Sequence, residues 1–308
     1  MTRVAALDCG THSLRLLVAD LTESGATDVV RRMEVVRLGA GVDRTGRLAP
    51  DALARTFAVL DDYAATINQL GVDVIRMVAT SATRDAANRD EFVAGVTARL
   101  GVEPEVVTGD EEAALSFAGA TRELRGHSGI EAPYLVVDIG GGSTEFVLGD
   151  LSGPSAARSV DIGCVRMTER HLTVYPPTSE QIDAARVDIE DAIDEAASVV
   201  PLAEARTLIG LAGSVTTVVA LALGLERYDP VRIHHAQVAA SDVHRVTAEL
   251  LAATRAERAA LAVMHPGRAD VIGGGALVLD TILRRVGLPV VVASEHDILD
   301  GIAFGLES

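Results

Sequence analysis

Short apolar runs bounded by glycine-bearing polar turns alternate with longer amphipathic stretches along the chain. That alternation predicts an α/β protein. Residues 4–8 and 14–19 predict a hairpin, and residues 29–38 a third strand. Pro50 at a first helical position and Gly71 after Leu70 bound a helix. Residues 72–79 predict a strand feeding a polar loop, 80–85, at the kind of strand end where open α/β sheets bind ligands. Asn88 is expected to cap a helix closing near Gly101, and residues 102–107 predict a further strand. Thr108 and Glu111 have capping-box spacing at the next helix start. That pairing occupies Glu111 and leaves Glu112, about 100° round the helix, without a local task.

Residues 124–133, rich in Gly, Ser and charge, read as a boundary between domains 1–125 and 126–308. Beyond it the plan repeats. Strands surround a glycine turn, residues 157–161 predict a third strand, and Thr178 with Gln181 caps a helix to about residue 200. The many acids of that helix read as a solvated face. Residues 208–211 predict a strand, 212–214 a turn, 215–223 and 241–253 helices, 290–293 a strand and 297–306 a last helix. Residues 269–286 have helical period but hold Gly273, Gly274 and Gly275, which close approach of a neighbour or ligand would explain. Residues 207–225 lack charge over about the length of a membrane span. Their glycines and polar residues divide them into strand, turn and helix instead.

The glycine turn is Asp138-Ile139-Gly140-Gly141-Gly142-Ser143-Thr144-Glu145. Three glycines let the backbone bend and approach a ligand closely. Their amides, with those of Ser143 and Thr144, predict an anion-binding concavity, and Asp138 stands where a metal-bound phosphate would lie. The spacing is not that of a dinucleotide fingerprint, and a strand rather than a helix follows. Leu7-Asp8-Cys9-Gly10-Thr11-His12-Ser13 repeats the pattern, and Asp8 to Asp20 matches Asp138 to Asp150. Two copies imply an internal duplication with one phosphate turn per domain. Turns facing one another across a cleft would hold a polyphosphate from both sides.

Composition narrows the chemistry. The chain has 308 residues, 48% hydrophobic, enough for two cores. Its net charge of −17 argues against nucleic acids and anionic membranes, and aromatics at 3% with no Trp offer no stacking platform. All 27 basic residues are Arg. Mechanisms that need a phosphate-loop, kinase or Schiff-base lysine are thereby excluded. Phosphates must be held by backbone N–H groups, Arg and metal. Two Cys, Cys9 and Cys164, fit a reducing cytoplasm and no zinc site.

The double turn resembles the actin/hexokinase/heat-shock-chaperone ATPase superfamily. More closely, the chain is similar to the exopolyphosphatase/guanosine pentaphosphate phosphatase family. The matching pieces are Asp8 to Ser13, Ala79 to Ala86, Gly109 to Ala113, Asp138 to Glu145, Gly210 to Thr217 and Arg268 to Ile272, in that order. The resemblance implies two similar ribonuclease-H-like or actin-like domains, each a mixed β-sheet flanked by helices, with an interdomain cleft. It implies release of a terminal phosphate from phosphoanhydride chains with Mg²⁺, or Mn²⁺ in its place, with room for a monovalent cation.

Residue by residue, the resemblance makes Glu112 catalytic, in agreement with the capping argument. It links Asp138, Asp8 and Glu145 to metal. Phosphate contacts fall to Gly140, Gly141, Gly142, Ser143 and Thr144, to the partner turn Asp8, Gly10, Thr11, His12 and Ser13, and to Arg84, Gly213, Ser214 and Arg268. The segment Glu295-His296-Asp297 departs from the family pattern by lacking its basic residue, which makes that wall more acidic. Long members carry extra helical domains absent from these 308 residues, so shorter polyphosphate is the expected substrate. Guanosine pentaphosphate (pppGpp) ends in the same anhydride. A homodimer is implied by the family alone.

Simpler roles exist for several of these groups. Asp8 and Asp138 could cap their own turns, and His12 could stabilise its turn. Arg84 could pair with Asp85 or Glu91. His234, His235, His265 and His296 have no metal spacing and read as loop or cap residues. Cys9 lacks a His partner pattern for nucleophilic work. An ATP-dependent kinase of the same superfamily and a non-catalytic sensor of guanosine tetra- or pentaphosphate are the rival functions.

Overall fold

The computed structural model describes residues 2–22, 25–124, 127 and 129–306. The chain divides into two compact units, Met1–Gly119 with Ile298–Ser308, and Ala120–Asp297. The expected boundary at residues 125 and 126 lies outside the described residues. The last helix is grouped with the first unit, whereas the sequence placed residues 298–308 with the second half.

In the first unit β1 (Thr2–Cys9), β2 (Ser13–Thr22) and β3 (Gly25–Val35) form an antiparallel meander. After α1 (Val42–Thr45) comes α2 (Pro50–Leu70), closed by Gly71 in the left-handed conformation at φ 63°. β4 (Val74–Ala79) lies parallel to β1. The expected polar loop 80–85 is instead a short helix, α3 (Ser81–Arg84). α4 (Arg89–Leu100) follows, but Asn88 makes no cap bond. Its side chain accepts from Leu48 N–H at 2.8 Å and donates to Leu48 carbonyl oxygen at 3.1 Å, joining distant loops. β5 (Glu105–Val106) is shorter than expected, and α5 (Gly109–Thr121) carries Glu112. The sheet order is β3-β2-β1-β4-β5.

The second unit repeats this opening with β6 (Tyr134–Ile139), β7 (Thr144–Asp150) and β8 (Gly153–Val160). α6 (Cys164–Arg170) had no sequence signal, because its start is set by contacts with the glycine turn. α7 (Ser179–Ala197) carries the expected Thr178–Gln181 capping box. Its acids are partly paired rather than only solvated: Asp188 meets His171 at 2.8 Å. β9 (Thr207–Leu211) pairs parallel to β6. α8 (Ala212–Ala222) begins at once, so the expected turn 212–214 is the first turn of a helix, entered through Ala212 at φ 65°.

α9 (Pro230–Ile233), β10 (Gln237–Ala239), α10 (Ala240–Ala252) and α11 (Arg255–Ala259) follow. α12 (Ile272–Val286) buries Gly273, Gly274 and Gly275. A Cβ on Gly274 would lie 2.7 Å from the Cys164 carbonyl oxygen, so α12 and α6 approach more closely than any side chain allows. β11 (Val290–Ala293) completes a sheet ordered β10-β11-β9-β6-β7-β8. α13 (Ile298–Phe304) then packs on β1, β2 and β4 of the first unit. The α/β class and the two similar mixed sheets flanked by helices stand. No helix among the described residues is long and apolar enough to cross a membrane.

Candidate active site

The two turns close with the same bond. Gly10 N–H donates to the Ser13 carbonyl oxygen at 3.0 Å, and Gly140 N–H to that of Ser143 at 3.0 Å. A Cβ on Gly140 would lie 3.1 Å from the Ser143 oxygen, so the bend itself favours glycine.

In the second unit the turn's carbonyls are all engaged. Gly140 oxygen accepts from Cys164 N–H at 3.0 Å, and Gly141 oxygen from Val165 and Arg166 N–H at 2.9 and 3.1 Å. Gly142 oxygen accepts from Arg166 Nε at 2.7 Å. A trans peptide points its N–H opposite to its C=O. The amides of Gly141, Gly142 and Ser143 therefore aim away from α6, as a concavity of donors suited to an anion. Gly163 makes the contact possible, since a Cβ there would stand 2.5 Å from the Gly141 oxygen. Thr144 differs from the expectation: its hydroxyl donates to the Ile162 carbonyl oxygen at 2.6 Å and is buried, tying β7 to the loop before α6.

Gly213, Ser214 and Arg268 reach the neighbourhood of this turn through one chain of contacts. Gly213 lies under the Arg268 guanidinium, where a Cβ would overlap it. Ser214 bonds the Cys164 thiol, whose backbone N–H holds Gly140, and Gly275 leaves room for the Ser214 hydroxyl. Burial raises the Cys164 thiol above its usual range, and burial with Asp8 beside it raises Cys9 well above. Neither thiol is a nucleophile at neutral pH.

In the first unit Thr11 oxygen accepts from Gly39 N–H at 2.9 Å, and His12 oxygen from Val36 and Arg37 N–H at 3.1 and 2.8 Å. The His12 amide, opposite the Thr11 carbonyl, therefore aims away from Gly39. The hydroxyls of Thr11, Ser81 and Thr83 are buried with no hydrogen-bond partner within the chain. Buried hydroxyls are normally satisfied, and three together at the ends of β1 and β4 are what an absent polar ligand would complete.

The turns differ in their carboxylates. Asp8 and Arg15 are opposite one another on β1 and β2, and Arg15 donates to Asp8 Oδ2 through Nε at 2.9 Å and Nη2 at 2.7 Å. The equivalent pair on β6 and β7 is Asp138 and Glu145, both buried. Glu145 Oε1 accepts from the Ser159 hydroxyl at 2.8 Å. Two buried carboxylates directly opposite repel, and oxygen donors of this kind suit a hard divalent cation. Of the three metal-linked candidates, Asp138 and Glu145 form such a pair, while Asp8 is already neutralised by Arg15.

Glu112 is 8% exposed. Arg84 Nη1 donates to its Oε2 at 3.1 Å and to the Val107 carbonyl oxygen at 2.9 Å. Arg84 thus pairs with Glu112 rather than with Asp85 or Glu91, and Glu91 meets Arg47 at 3.6 Å. Glu111 caps α5: its Oε2 accepts from Thr108 N–H at 2.8 Å and its N–H donates to Thr108 Oγ1 at 3.2 Å. Glu111 makes the Thr108 capping box that the spacing predicted, and Glu112 takes no part in it.

A family model described as the Ppx/GppA phosphatase family matches residues 17–307. The chain belongs to the Ppx/GppA phosphatase family. Among its relatives, exopolyphosphatase 2 of Mycobacterium tuberculosis is 50% identical over 319 residues, 99% of each chain. A bifunctional 3-dehydroquinate synthase/phosphatase of Fusobacterium nucleatum is 31% identical, over 99% of this chain and 46% of that protein. Among solved structures, an exopolyphosphatase-like protein superposes with TM-score 0.95 at 46% identity, covering 99% of this chain and 97% of that one. The Ppx/GppA enzyme of Aquifex aeolicus gives 0.81 at 28%, covering 99% of both.

His234 and His265 stand at helix caps and His235 and His296 in loops, as expected. In this family member His234, His235 and His296 gather with His127 and Glu123, although no sequence spacing joined them.

Proposed function

We propose that the chain is an exopolyphosphatase that hydrolyses the terminal phosphoanhydride of inorganic polyphosphate and releases orthophosphate. The observation that carries this is Glu112, buried, held by Arg84 and spared from the capping that Glu111 performs. The full-length similarity to a protein named exopolyphosphatase 2 supports the substrate.

Glu112 takes a proton from water as the water oxygen bonds to the terminal phosphorus. The bridging P–O bond breaks, its electron pair leaves with the shortened chain, and orthophosphate is the other product. In the second unit the N–H groups of Gly141, Gly142 and Ser143, with Arg268, are donors suited to phosphoryl oxygens; in the first unit the Thr11, Ser81 and Thr83 hydroxyls are polar groups that a phosphate could satisfy. Arg84 keeps Glu112 oriented and offers its remaining N–H donors to phosphate. A Mg²⁺ ion, held by Asp138 and Glu145, would offset charge on phosphate oxygens. Positioning and electrostatics carry most of the rate.

The family includes phosphatases of guanosine pentaphosphate, whose terminal anhydride presents the same chemistry to this site. Assembly as a homodimer in the cytoplasm belongs to the same proposal, with the two free, buried cysteines supporting a reducing compartment. The test is phosphate release with Mg²⁺ from short polyphosphate, long polyphosphate, pppGpp and ATP, for the native chain and Glu112→Gln. Strong release from short polyphosphate, lost in the variant, is expected. Release from none of the four, with guanosine nucleotides bound tightly, would replace the enzyme by a sensor.

A further inference from the structure

Four of the chain's eight histidines meet in the second unit. The His234 and His235 ring centroids are 3.7 Å apart, His234 and His296 4.6 Å, and His127 and His235 4.5 Å. His235 adopts the left-handed backbone at φ 60°, uncommon for a side-chain-bearing residue, and its N–H donates to the Ala293 carbonyl oxygen at 2.7 Å. That bond pins the histidine pair to the end of β11, three residues before His296.

Glu123 completes the group. Its Oε2 lies 3.5 Å from His234 Nε2 and 3.4 Å from His296 Nδ1. One donor atom from each of Glu123, His234 and His296 lies within 4.8 Å of the other two. The carboxylate separations are too long for good hydrogen bonds. They match the edge of a tetrahedron whose corners stand about 2.0–2.1 Å from a central ion, roughly 3.4 Å.

We propose that Glu123, His234 and His296 bind a divalent transition ion of the Zn²⁺ class. Imidazole donors select such ions over Mg²⁺, which prefers oxygen ligands. Three protein ligands leave a fourth position for water. The rings of His127 and His235 stand beside these ligands.

Binding has a structural consequence. His234 Nδ1 accepts the Glu295 N–H at 3.2 Å, so the neutral ring carries its proton on Nε2, facing Glu123. For an ion to take the Nε2 lone pair, the ring's single proton must pass, by exchange with solvent, from Nε2 to Nδ1, giving the Nδ1–H tautomer with no net proton release. That tautomer cannot accept from Glu295, so ion capture gives up this bond and frees the Glu295 amide. The site is thereby coupled to the segment Ser294 to His296, in which Glu295 also accepts from the Tyr228 hydroxyl at 2.6 Å.

The experiment is titration of the tag-free, full-length protein with Zn²⁺ by calorimetry and with Co²⁺ by visible absorption. One Zn²⁺ per chain is expected, unaffected by millimolar Mg²⁺, with intense Co²⁺ bands of low coordination number. Glu123→Gln, His234→Ala and His296→Ala should each weaken binding at least tenfold, whereas His171→Ala, which alters a histidine paired with Asp188 elsewhere, should not. His296→Cys should retain Co²⁺ and add a thiolate-to-metal charge-transfer band, a result that a misfolded variant would not give. No Zn²⁺ binding by the native chain, or binding unchanged in all three ligand variants, overturns the proposal.

Discussion

Asp8 and Arg15 form an ion pair at 2.7 Å at the cross-strand position where the second unit sets Glu145 opposite Asp138. A single difference in residue type thus makes one turn electrically closed and leaves the other with two buried acids. Asp8 is 3% exposed. Removing Arg15 strands its carboxylate, and Arg15→Met should cost about 3 kcal/mol. Asp8→Asn in the same chain should recover most of that loss. Urea melts of the three variants measure it, and an Arg15→Met chain as stable as the native one would contradict the account.

On the other side of the comparison, Glu145→Gln removes one oxygen donor and one negative charge. The Mg²⁺ concentration for half-maximal phosphate release should rise by about tenfold or more. Unchanged Mg²⁺ dependence would remove Glu145 from the cation's ligands.

The adjacent glutamates should separate cleanly. Glu112→Gln is expected to lower kcat by about 10²–10⁴-fold with the melting temperature unchanged. Glu111→Ala is expected to do the reverse, lowering the melting temperature by a few degrees while sparing kcat. Kinetics and melts on both variants decide; an active Glu112→Gln chain would end the general-base assignment.

Acid should remove the contribution of the hydrogen-bonded carboxylates only at low pH. Hydrogen bonds from Thr108 backbone and hydroxyl hold Glu111 below the usual range. Arg3 does the same for Asp20, Ser152 for Asp150, and Thr254 for Glu257. A depressed folded value means the unfolded chain binds protons first. The contribution is therefore fully present above the unfolded carboxylate value, about pH 4. It is lost as pH falls through the folded values below that. Stability from these groups should be flat between pH 7 and about 5 and fall only further down, as urea midpoints against pH would report. A fall beginning near pH 6 would point elsewhere.

Gly213→Ala should act on Arg268 rather than on folding. The added methyl overlaps the guanidinium, the far end of a flexible side chain, so the arginine moves and the helix survives. A raised KM with a near-native melt is expected. By contrast Gly301→Ala meets the Leu115 backbone carbonyl, which has no such freedom, and should cost about 1–3 kcal/mol.

Much of this protein could be read from its sequence because the relevant constraints are local. The turn after Asp138 needs glycine at Gly140 to close on Ser143, and the repeat 130 residues earlier closes the same way. The Thr108–Glu111 and Thr178–Gln181 boxes join residues three apart, and Gly71 ends α2 by its own backbone angle. Repetition at matched spacing carried the two-sheet architecture. Only the tertiary structure decided the rest. α13 packs on β1 because Arg31 meets Asp300 and Gly301 fits against Leu115, contacts that span most of the chain. Arg84 finds Glu112 rather than its chain neighbours, and α6 starts where the glycine turn offers carbonyls. His234 and His296 are 62 residues apart in the chain and 111 and 173 residues from Glu123, so they share no local pattern. Periodicity and capping act within a turn or two, whereas these groups are brought together by strand order and helix packing.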